Sequence, residues 1–151
     1  MKEAKQLRLI ANDEEDLKIL SAHLQDAVVK VKDVAYLPNK RRFVMVANRY
    51  CWECEGMAPQ GMRMRSGLHF DGVLKVKAQK LRQDAPETVM ELLAIAFTPA
   101  SDGAGAIDLS FAGGARIRLD VECIEGAMAD LAGPWPATAR PEHRVGRTET
   151  A

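Results

Sequence analysis

With 151 residues, 47% of them hydrophobic and 28% charged, the chain fits one domain whose core needs neither metal nor disulfides. Its longest apolar runs are too short to span a bilayer, and three cysteines behind an N-terminus without a secretory pattern place it in the reducing cytoplasm. Its 21 basic and 21 acidic residues cancel but are segregated: residues 30–82 hold twelve Lys and Arg against four Asp and Glu, and residues 83–131 two against nine.

In chain order, residues 7–11 read as a short strand. Asn12 then offers an N-cap with Glu15 at the capping-box position, opening a helix over residues 13–27 whose stripe of Leu17, Leu20, Leu24 and Ala27 or Val28 packs on a sheet. Residues 28–37 are rich in β-branched side chains, Pro38-Asn39-Lys40 has turn chemistry, and residues 42–52 are again strand-like, which makes a hairpin. Phe43, Met45 and Ala47 occupy one side there and Val44, Val46, Tyr50 and Trp52 the other, so this strand is central and covered by the helix on one face. Residues 55–61 form a loop. Two further strands, 62–70 and 73–81, flank Asp71-Gly72, and a polar segment with Pro86 leads to a buried strand over 89–98.

Residues 106–131 organise the rest. Ile107, Leu109 and Phe111 alternate with polar residues, as do Ile117, Leu119 and Val121, so each strand of this hairpin has one apolar face. A three-residue loop, Gly113-Gly114-Ala115, pairs Phe111 with Ile117, Leu109 with Leu119 and Ile107 with Val121. Ile124, Ala127, Met128 and Leu131 then recur at helical spacing, which predicts a short helix over residues 123–131 that Gly133 and Pro134 stop.

Together these elements predict an α+β protein: a meandering antiparallel sheet of seven strands after residue 28 forms a sandwich or partly open barrel, with one N-terminal helix and one short C-terminal helix, similar to a pleckstrin-homology-like superfold. Residues 1–135 make the domain and residues 136–151 a disordered tail.

No motif names a reaction. Cys51-Trp52-Glu53-Cys54 has the spacing of a redox pair or half a zinc site, but the residues leave a strand for a loop and no second ligand pair stands at a partnering spacing; the expectation is two reduced cysteines and no metal or cofactor. Ser66 and His69 lie on opposite strand faces, so with Asp71 they make no triad. The basic residues weigh more. Arg41 and Arg42 at a hairpin tip, Arg63, Arg65 and His69 on one strand and Lys75 and Lys77 on the next are the candidate binding surface, with Tyr50, Trp52 and Phe70 close enough in sequence to stack on bases. Two readings compete: the acidic segment folds against the basic one, or the basic face meets an anionic partner.

The runs Arg65-Ser66-Gly67-Leu68-His69-Phe70-Asp71, Leu92-Leu93-Ala94-Ile95-Ala96-Phe97, and Phe111-Ala112-Gly113-Gly114 through Ile117-Arg118-Leu119-Asp120-Val121-Glu122-Cys123-Ile124-Glu125 resemble an alphaproteobacterial domain-of-unknown-function family of small cytoplasmic proteins, over residue 7 to about 135. That resemblance implies no activity, catalytic residue or cofactor. The function expected is a non-enzymatic module that binds an unknown protein or small ligand, with nucleic-acid (RNA) binding through the basic region 30–82 as the alternative, and no membrane partner.

Overall fold

The computed structural model describes residues 6–138. Strand β1 (Arg8–Ala11) leads into helix α1 (Glu14–Leu24), which starts one residue later than the sequence suggested. Its N-cap is Asp13, whose carboxylate accepts from Asp16 N at 2.8 Å while Asp16 reaches back to Asn12 N at 3.1 Å. Both orphan amides are thus satisfied by aspartates, not by Asn12 and Glu15. Leu17, Leu20 and Leu24 form the buried stripe.

All seven strands expected after residue 28 form. The first is split in two, β2 (Val28–Lys30) and β3 (Val34–Leu37), by a single 3-10 turn over Val31–Asp33. The others are β4 (Arg42–Tyr50), β5 (Met62–Phe70), β6 (Val73–Gln79), β7 (Val89–Pro99), β8 (Gly105–Phe111) and β9 (Arg116–Val121). They do not make one sequential meander. The order is β1-β10-β5-β4-β2-β7-β8-β9-β6, with β3 on the side of β4, so β6 leaves β5 to pair with β9, and β7 returns to β2. This ten-stranded antiparallel sheet is open and sandwich-like, its two halves joined where β2 meets both β4 and β7. Among the described residues no helix is long and apolar enough to cross a membrane.

The predicted C-terminal helix is absent. Residues Gly126–Pro136 form strand β10, inserted antiparallel between β1 and β5. The same residues also alternate, with Gly126, Met128 and Asp130 buried, and nine residues of helical spacing cannot outweigh pairing on both edges. Gly126 lies against Phe70, where an added Cβ would meet the ring at 2.5 Å. The closing helix on which the pleckstrin-homology-like expectation rested is therefore replaced by a strand. Residues 139–151 of the predicted tail lie outside the described residues.

The β8–β9 hairpin keeps the predicted parity but not the predicted partners. Leu109 faces Ile117 and Ile107 faces Leu119, two residues away from the expected register. The turn still has three residues but lies one position earlier, at Ala112-Gly113-Gly114, with Gly113 and Gly114 both at positive φ and Phe111 N donating to Ala115 O at 2.9 Å. Phe111 and Ile117 still share one interior with Phe43, Met45, Leu68, Phe70, Leu92 and the α1 leucines.

Candidate functional site

Several places on this scaffold carry polar or ligand-sized features. The first is a buried ionic knot. Arg49 continues the inward row Phe43, Met45, Ala47 of β4 and is fully buried. Its Nε and NH2 groups donate to the two carboxylate oxygens of Asp130 on β10 at 2.8 Å each, and NH1 and NH2 donate to Glu53 at 3.0 and 2.7 Å. Asp130 also accepts from Ser66 Oγ at 2.5 Å and from Leu7 N at 2.8 Å. Burial alone would push Arg49 down and both acids up, but the hydrogen bonds and opposite charges prevail: Arg49 is held above its ordinary range, Asp130 and Glu53 below theirs. Sequence reasoning missed this group. The signal was present, since an arginine in phase with three buried apolar residues requires a buried acid.

Beside the knot, Cys51 and Cys54 are disulfide-bonded with Cα atoms 5.2 Å apart, which corrects the expectation of two reduced thiols. A 3-10 turn over Trp52–Cys54 ends the extended backbone, so side chains three apart converge instead of diverging. Both sulfurs are buried against Met62 and Met64. Among the described residues no cluster of His, Cys, Asp or Glu could hold a metal ion.

The predicted basic surface falls into three places. Arg41 pairs with Glu122 at 3.0 Å, and Arg42 with Asp71 at 2.7 Å, the latter shared with His69 Nε2 at 3.6 Å. Arg63 turns inward, donating to Asp26 O and Asn48 O with its guanidinium 5.6 Å from the Tyr50 ring; burial lowers its pKa. Among the described residues, Arg65 reaches only the Asn48 side-chain oxygen, at 3.5 Å. Lys75 and Lys77 are exposed on β6, in the other half of the sheet. Tyr50 and Phe70 are fully buried, so neither offers a face for stacking. Several ion pairs join the basic segment to the acidic one, including Lys30 and Lys32 with Glu87, Arg41 with Glu122, and Arg49 with Asp130. Ser66 points at Asp130 while His69 faces outward, as the absence of a triad requires.

The third place is a cleft of about 340 Å³ where the sheet fails to close. The seam between β3 and β6 is bridged at one end by Tyr36 Oη donating to Val73 O at 2.7 Å and Val73 N to Arg41 O at 2.9 Å. Val31 N to Thr88 O and Lys32 N to Pro86 O, at 3.0 and 2.9 Å, bridge the other. Between these ties Val34 and Tyr36 form one wall, Val76 and Ala78 the other, Phe43 and Ile117 lie at its core side, and Lys32 and Gln83 supply its polar atoms. Lys32 is already held by Glu87 at 2.7 Å, which raises the lysine's pKa and lowers that of the acid.

A family model described as Protein of unknown function (DUF2948) matches residues 7–143. No curated protein and no solved structure matches the chain.

Proposed function

The chain belongs to the family described as Protein of unknown function (DUF2948), and from that premise we propose that it is a non-enzymatic binding module whose β3–β6 cleft takes a small, largely apolar ligand. The carrying observation is the cleft itself: a ligand-sized opening into the apolar interior, walled by Val34, Tyr36, Val76 and Ala78. Its lining supports binding in preference to catalysis, because the polar groups there are one lysine paired with Glu87, one amide and one phenol bonded to Val73 O. The apolar body of a ligand would gain by leaving water, and Gln83 and Lys32 would orient its polar end.

Titration with decanoate, followed by backbone amide shifts, tests this reading. Saturable shifts should centre on residues 34–36, 76–81 and 117. Ala78→Trp, which fills the cleft from an exposed strand position, should weaken binding about tenfold or more while leaving the fold intact. Shifts centred elsewhere, or an Ala78→Trp variant that binds as the parent does, would remove the cleft as the site.

A second reading, RNA binding, draws on Arg65, Lys75 and Lys77, which have no carboxylate partner closer than 4.0 Å among the described residues. Generic RNA that fails to bind even at low salt would dispose of it.

A further inference from the structure

Across the outer surface of β6, β9 and β8, two cations face one another. Lys77 stands directly opposite Arg118, a placement that costs stability, since like charges in register repel. Arg116, two residues back on the same face of β9, adds a third positive charge. Asp108 lies opposite Arg118 on β8, and Asp120 follows on β9. The two acids offset the group only in part, as loose ion pairs: Arg116 to Asp108 is 3.8 Å and Arg118 to Asp120 is 3.6 Å, and Lys77 is left over. Charge-assisted hydrogen bonds are much shorter, about 2.7–2.9 Å. Both guanidiniums stay half exposed, and Lys77 has no ion pair or side-chain hydrogen bond among the described residues. Together with Gln79 these side chains line a depression of about 400 Å³.

The geometry points to a binding site for the phosphate group of a small polyhydroxylated phosphomonoester, seated between Lys77, Arg116 and Arg118. A dianion there converts the Lys77–Arg118 repulsion into shared attraction, and the forked guanidiniums match phosphate oxygens. Asp108 and Asp120 accept from hydroxyls on the remainder of the ligand. The same two carboxylates bound the cationic group, so one phosphate fits where a continuous nucleic-acid backbone would meet negative charge. This site is separate from the β3–β6 cleft and stands or falls independently of it.

The test is a titration of the full chain with ribose 5-phosphate at low ionic strength, followed by backbone amide shifts, with ribose, oligouridylate and phosphatidate-containing vesicles as parallel arms. Saturable shifts should centre on residues 77–79, 108 and 116–120, with none from ribose. Arg118→Gln should weaken binding about tenfold or more, the loss of a charged hydrogen bond. The thermal midpoint of the free chain should move by no more than about 2 °C, because the relieved Lys77 repulsion and the lost attractions to Asp108 and Asp120 offset one another. Lost binding in a chain of parental stability separates a site from a structural charge. No saturable shift, an Arg118→Gln variant that titrates like the parent, or binding to oligouridylate or vesicles without binding to the sugar phosphate would overturn the inference.

Discussion

Arg49 is the side chain whose environment is most demanding. Its guanidinium has no exposure, and it is compensated by two carboxylates that are themselves bonded to Ser66 Oγ and the Leu7 amide. Removing one member leaves buried charge without a partner, so Arg49→Ala or Asp130→Asn should destabilise the chain by about 3–5 kcal/mol in urea unfolding at neutral pH. The pH dependence has a definite sign. Asp130 and Glu53 have pKa values below the ordinary carboxylate range in the fold. Their contribution is therefore present above that range and lost as the pH falls through the folded values. Unfolding curves between pH 7 and 3 should show stability falling below about pH 4. The fall should be shallower in Asp130→Asn, and an unchanged acid limb in that variant would mean that the knot does not set it.

At the scale of the element, β10 turns an ambiguous sequence into a strand paired on both edges. Gly126 has no room for a side chain beside Phe70. Gly126→Ala should cost about 1–3 kcal/mol through overpacking, and amides of residues 127–129, paired between β1 and β5, should exchange slowly with solvent. Fast exchange there would contradict the strand. The same segment marks what the sequence could convey. Where apolar and polar residues alternate cleanly, as in Ile107 to Phe111 and Ile117 to Val121, faces and strand boundaries were readable. Residue-by-residue partners were not, because moving the three-residue turn by one position shifts every partner by two and leaves the alternation of faces unchanged. Ile124, Ala127, Met128 and Leu131 satisfy helical spacing while Gly126, Met128 and Asp130 satisfy strand spacing, and only distant partners decide between them. The β3–β6 cleft was invisible for a related reason: it exists because β6 pairs with β9 and not with β3, a choice made by residues far apart in the chain.

For the whole molecule, the segregation of charge along the chain becomes contact in space, since Glu87, Glu122 and Asp130 each meet a cation from the basic segment. The topology also brings the two ends of the domain together: β1 forms one edge of the sheet and covers β10. Deleting residues 1–11 would expose the edge of β10 and take away the Leu7 donor to Asp130. The truncated chain should then self-associate through that edge, detectable as a mass above the monomer by light scattering, whereas the intact chain shows no such shift under the same conditions. Synthesis adds an order to this closure. Arg49 leaves the ribosome 81 residues ahead of Asp130, with Glu53 the earlier of its two counter-ions, and burying the cation while one of them is missing is costly. The half of the sheet containing β4 and β5 therefore gains the second counter-ion of its buried cation only once β10 has been made, which makes β10 the latch of that half.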